Sequence, residues 1–184
     1  MKLKTYDKLF GALFVVASVA IIVFFFSSNS FFEWAFARHH NTLSWYIRPL
    51  FIISIVLGAF KKSYTMIFAS IFCLFTSMFW FPKPAIANEY VIEFLNFEKA
   101  YLTSGWTADK VFVLIAVILF FAFLIYTIWN RKWKGLLFVI IISALLKVIH
   151  SVIFSGNSGL SIVKPAISGV VICVLAIWLL LKKR

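Results

Sequence analysis

Long apolar runs broken by short polar or basic segments set the pattern of this chain. Reading it in order predicts spans over about 9–26, 44–60, 63–81, 111–129, 136–155 and 161–181. Each is near the roughly 20 residues that an α-helix needs to cross a hydrocarbon core. Pro82 and Pro84 stop the third span just after the aromatic run Phe79-Trp80-Phe81, a belt suited to a membrane interface. Ser27 to Leu43 carries paired aromatics with Glu33, Arg38, His39 and His40, which suits a segment lying in the interface. Residues 83–109 form the one sizeable polar stretch. Within it, Asn88 to Leu102 puts Val91, Phe94, Leu95 and Leu102 on one helical face, with Glu89, Glu93 and Lys99 largely opposite. That pattern predicts a short amphipathic helix N-capped by Asn88.

The expected fold is therefore an all-α polytopic integral membrane protein. It is a single transmembrane domain over residues 1–184, with six transmembrane helices and an interfacial helix between spans 3 and 4. Ala35-Phe36-Ala37 offers a cleavage pattern after the first span. It lies too far beyond the apolar run for a signal peptide, so the first helix reads as uncleaved.

Composition supports lipid as the solvent. Apolar residues make up 64% of the 184, charged residues 13%, and the mean hydropathy is +1.03. A water-soluble domain has a far smaller apolar share, roughly half. The net charge of +12 does not point to nucleic acid. Eleven of the 18 basic residues (Lys2, Lys4, Lys8, Lys61, Lys62, Arg131, Lys132, Lys134, Lys182, Lys183, Arg184) fall at one end of the proposed helices. This is the positive-inside pattern. It places both termini in the cytoplasm (N-in, C-in), in a cell inner or plasma membrane, with membrane lipids as partners. Cys73 and Cys173 lie mid-span without a metal spacing and read as packing residues.

The candidate chemistry is in the fifth span. Lys147 lies well inside it, roughly 13 Å from its outer end at about 1.5 Å per residue, with His150 one turn on. An intramembrane charge is a functional-site hypothesis by default. No span offers Lys147 an acidic partner, and its side chain tilts away from the nearer surface, so snorkelling is awkward. Arg48 and Lys164 sit near the outer ends of spans 2 and 6, each followed by proline (Arg48-Pro49, Lys164-Pro165). A proline in a first turn leaves a helix intact. Ser54 and Ser168 reach about the depth of Lys147, as does Ser18. The candidate ligand-binding set is thus Lys147, His150, Arg48, Lys164, Ser54 and Ser168, lining an outward-facing basic cavity. The bland alternative is polar packing between helices.

Metal binding has little support, because no HxxxH or HExxH spacing occurs; neither a cofactor motif nor a catalytic motif is present. Three functional readings follow. The first is a carrier or channel for an anionic solute or lipid headgroup. The second is a subunit or assembly factor that docks a homo-oligomer copy or a partner membrane protein through Lys147. The third, an enzyme on a lipid-linked substrate using His39, His40, Glu33, Glu93 or Glu98, is the least favoured.

Overall fold

The computed structural model describes residues 2–182, and all regular secondary structure among them is helical. The elements are α1 (Lys2–Ser27), α2 (Asn29–His39), α3 (Leu43–Lys61), α4 (Tyr64–Thr76), α5 (Glu89–Thr103), α6 (Ala108–Trp129), α7 (Trp133–Ser155) and α8 (Val163–Lys182). Short 3-10 segments, Ser77–Phe79 and Gly156–Ile162, extend α4 and join α7 to α8. Lys183 and Arg184, counted above with the basic end, lie outside the described residues.

Among the described residues, four segments are long and apolar enough to cross a membrane: Lys4–Ser27, Leu43–Lys61, Ala108–Trp129 and Trp133–Leu180. The last takes in both α7 and α8. The apolar helix Tyr64–Phe79 is shorter. These helices make the chain a membrane protein by length and composition.

Polar side chains fix where the helices begin. Ser28 and Ser63 accept hydrogen bonds from the backbone N–H groups of Phe31 and Met66, and Asn88 caps α5 by accepting from Tyr90 at 3.0 Å. Such caps satisfy first-turn donors that have no intrahelical partner. Pro49 sits in the second turn of α3 rather than the first, so it removes an N–H from the helix ladder, yet α3 continues to Lys61. Pro165 does lie in the first turn of α8.

Close approach at glycine organises the helix contacts. A Cβ on Gly11 would lie 2.8 Å from Tyr64 Cβ, and one on Gly58 would lie 2.9 Å from the backbone nitrogen of Ile67. α4 therefore packs tightly between α1 and α3, as small residues allow in lipid, where close van der Waals packing draws helices together. On the other side of α3, Gly169 of α8 meets Pro49, with 3.0 Å from its would-be Cβ to the proline ring.

Two cores result. One, at the lysine-rich end, joins Ile55, Val56, Ala59, Ile67, Leu124, Ile128, Leu136, Ile140, Cys173 and Ile177. The other, at the opposite end, joins Phe32, Phe36, Trp45, Val91, Phe94, Leu95 and Ile162. This second core draws α5 into the bundle.

Candidate polar site beneath helix α5

The buried face of α5 carries Val91, Phe94 and Leu95. Glu98 follows seven residues after Val91, so helical periodicity places it on the same face. Its carboxylate accepts a hydrogen bond from Lys147 Nζ at 3.0 Å. The lysine that no span could pair is thus paired from outside the spans, by the amphipathic helix. Its ammonium also lies 5.8 Å from the centre of the Phe94 ring. Leu102, expected on the buried face, is 40% exposed.

Arg48 enters the same cluster from α3. Its Nη2 donates to His39 Nε2 at 3.3 Å. A guanidinium only donates, so Nε2 must carry the lone pair and Nδ1 the proton. That Nδ1–H is 3.1 Å from Ser44 Oγ, and the Ser44 hydroxyl donates in turn to the Asn41 carbonyl at 2.8 Å. The chain Arg48, His39, Ser44, Asn41 is therefore directional and fixes one histidine tautomer. Burial, followed by the positive charges of Arg48, Lys147 and His40, holds the His39 pKa well below the ordinary imidazole value. His39 is neutral here for reasons that agree with its bonding.

Glu98 lies within electrostatic reach of Arg48 as well as bonding Lys147. The cluster thus holds two cations around one carboxylate. His150 completes it, stacked on Phe154 at 4.5 Å between centroids and edge-on to Tyr101 at 6.1 Å. Trp45 bridges the two cations through aromatic neighbours, 5.7 Å from the His39 ring and 5.9 Å from Phe94.

Several polar atoms around this cluster are buried without a hydrogen-bond partner: Trp45 Nε1, His150 Nε2, Ser151 Oγ and Ser161 Oγ. Buried polar groups are nearly always satisfied, and an orphan costs about 1–3 kcal/mol. Of these, only the indole N–H of Trp45 is a pure donor; the two hydroxyls can donate or accept, and His150 Nε2 does either according to its tautomer.

The remaining predicted residues are dispersed. Ser54 Oγ accepts a 2.7 Å hydrogen bond from Ser70 and ties α3 to α4. Ser168 donates to the Pro165 carbonyl of its own helix at 2.9 Å, and Ser18 does likewise to Phe14 at 2.8 Å. Lys164 is exposed on α8. The structure therefore gathers Arg48, Lys147 and His150, and leaves Ser54, Ser168 and Lys164 apart from them. Sequence reasoning missed the roles of Glu98, His39 and Trp45 in this cluster. A signal existed for Glu98, in the seven-residue step from Val91. None existed for the convergence of α2, α3, α5 and α7.

Elsewhere, an open groove between α1 and α4 is lined by Lys8, Ala12, Val15, Val16, Tyr64 and Phe68. Among the described residues no three His, Cys, Asp or Glu side chains come together as metal ligands. No protein family, curated protein or solved structure matches the chain significantly. The reading of the site rests on its own chemistry.

Proposed function

We propose that this membrane protein is a small carrier or channel whose site beneath α5 binds an anionic solute or lipid headgroup between Arg48 and Lys147. In this reading six helices span the membrane with both termini in the cytoplasm, and the cluster faces outward. The observation that carries it is the unpaired buried indole N–H of Trp45 beside two cations that have one carboxylate between them. A phosphate or carboxylate brings several acceptor oxygens to such a place, and hydrogen bonds to charged groups are the strong ones. Lys147 and Arg48 supply charge, while Trp45 supplies a neutral donor.

Docking of a partner protein through an unpaired Lys147 loses its main support once Glu98 occupies that ammonium. Acid–base catalysis is less favoured as well. His39 has both ring nitrogens engaged, His40 Nδ1 is bonded to the Phe36 carbonyl, and Glu33 is held by Lys99 at 2.6 Å.

The test is thermal stability of the purified protein in detergent against inorganic phosphate, small carboxylates and phospholipids. A ligand that binds only the native state raises the melting temperature by mass action. The expected result is a rise with at least one phosphate-bearing ligand that is lost in Lys147→Met and kept in Lys164→Met. No rise with any of them contradicts the proposal.

A further inference from the structure

The groove between α1 and α4 is apolar along its length and cationic at one end. Ala12, Val15 and Val16 line it from α1 and Phe68 from α4, with Lys8 and Tyr64 at its mouth. Lys8, Ala12, Val15 and Val16 recur at helical spacing and so share one face of α1. Lys4 stands one turn before Lys8 on that face, and both lysines are exposed. The two helices run in the same direction: Asp7 meets Ser63 at the start of α4, and the Phe14 and Phe72 rings lie 6.0 Å apart further along. α1 continues to Ser27, so the groove leads from Lys8 into the span. Val16 lies about 12 Å beyond Lys8, at about 1.5 Å per residue. Neither Lys4 nor Lys8 has an ion-pair partner among the described residues. The carboxylate beside them, Asp7, is committed to α4: Oδ1 accepts from Ser63 Oγ and Thr65 N, and Oδ2 from Tyr64 N.

We infer that this groove binds one anionic phospholipid, of the phosphatidylglycerol type, with its phosphate at Lys4 and Lys8 and an acyl chain along Ala12, Val15, Val16 and Phe68. The site is separate from the one beneath α5 and does not depend on it. Its polarity matches that of the lipid: charge at the membrane surface, apolar walls running toward the bilayer core. The two lysines carry charge that the fold leaves uncompensated. An anionic headgroup supplies the balance, and ammonium-to-phosphate hydrogen bonds are among the strong ones. A choline lipid carries its own cation beside the phosphate and so adds none. A second copy of the chain fits less well. Packed through this groove about a two-fold axis along the membrane normal, it would set Lys4 and Lys8 of both chains against each other as like charges.

Native mass spectrometry of the protein released from mixed bilayers of phosphatidylglycerol and phosphatidylcholine, with the same acyl chains, tests this. Wild type is expected to retain phosphatidylglycerol at least fivefold over phosphatidylcholine. Lys4→Gln/Lys8→Gln is expected to bring the two lipids within twofold of each other. Val16→Trp, which fills the groove and leaves both lysines, is expected to lose the preference as well. Lys182→Gln, a charge removed at the same end but on α8, is expected to keep it, as is Lys147→Met. Every substituted side chain is exposed, so the fold tolerates each change. Equal retention of the two lipids by wild type overturns the inference, as does an unchanged preference in the double lysine variant or in Val16→Trp. A loss in Lys182→Gln equal to that in the double variant overturns it in favour of diffuse attraction to the basic end. A loss in Lys147→Met moves the lipid beneath α5 and also overturns it. Lipid-free dimers that Val16→Trp disperses put a second copy in the groove instead.

Discussion

The two ends of the bundle use charge in opposite ways. At the lysine-rich end, Asp7 of α1 reaches the start of α4 and accepts from Ser63 Oγ at 2.7 Å, Tyr64 N at 2.8 Å and Thr65 N at 3.2 Å. Arg131 donates to the last-turn carbonyl of Phe60 at 2.9 Å and lies 3.6 Å over the Phe60 ring. Both charges close helix ends from a neighbouring segment, a carboxylate at an N-terminus and a cation at a C-terminus, as the helix dipole favours. At the α5 end, Lys147 is bonded to Glu98, Arg48 lies within electrostatic reach of the same carboxylate, and the Trp45 indole N–H is left over. Charge at the first end completes the backbone. Arg131 Nη1 is also left unpaired at the first end, so what sets the second end apart is the meeting of Lys147, Arg48 and the orphan indole N–H of Trp45 around Glu98.

The comparison breaks most visibly in ligand affinity. Arg48→Met should weaken binding of a phosphate-bearing ligand at least tenfold, about 1.4 kcal/mol, by equilibrium titration in detergent. Affinity unchanged within twofold would put Arg48 among the structural charges. Gly58→Val should leave that affinity intact and cost about 1–3 kcal/mol of stability by overpacking, because its side chain would press on the Ile67 backbone. A melting temperature equal to wild type would show that α3 and α4 can separate there without loss.

Smaller effects sharpen the contrast. Trp45→Phe removes an orphan donor while keeping an aromatic ring between His39 and Phe94. The expected outcome is a ligand affinity several-fold lower, near the value of one hydrogen bond of about 1 kcal/mol, with ligand-free stability undiminished. A clear loss of ligand-free stability would mean that the indole N–H has an acceptor in the fold. The least effect is on pH dependence. His39 has a folded pKa depressed mainly by burial, so the unfolded chain binds more protons once pH falls through its ordinary value of about 6.5. Stability should be fully present above that value and decline on acidification below it. His39→Gln should flatten the decline, since a glutamine amide can accept from Arg48 and donate to Ser44.

Much of this fold is legible from pattern alone. The apolar runs mark α3, α6, α7 and α8 to within a few residues, because lipid-facing helices must be apolar nearly throughout; α1 begins seven residues before its apolar run, at Lys2. The Asn88 cap and the Val91, Phe94, Leu95 stripe mark α5. The pairing of Lys147 is not legible from its span, because its partner Glu98 lies on α5, outside the spans. An amphipathic helix between two spans can fold back against the bundle and deliver a carboxylate to a span residue. Depth counted along one helix says nothing of that. Ser54 illustrates the converse error, since equal depth did not bring it to the site, and its hydroxyl faces Ser70 instead.

The most direct test sets one charge from each end side by side. Melting temperatures of Asp7→Ala and Lys147→Met are measured without ligand and with a saturating phosphate-bearing ligand, with Lys147→Met/Glu98→Gln as the variant that leaves no unpaired carboxylate. The account predicts that Asp7→Ala melts below wild type, by about 0.5–2 kcal/mol for a lost cap, and keeps the full ligand-induced rise. The double variant should melt close to wild type and show no rise. A full ligand-induced rise in the double variant, or a loss of the rise in Asp7→Ala at unchanged stability, would contradict the division of charge between the two ends.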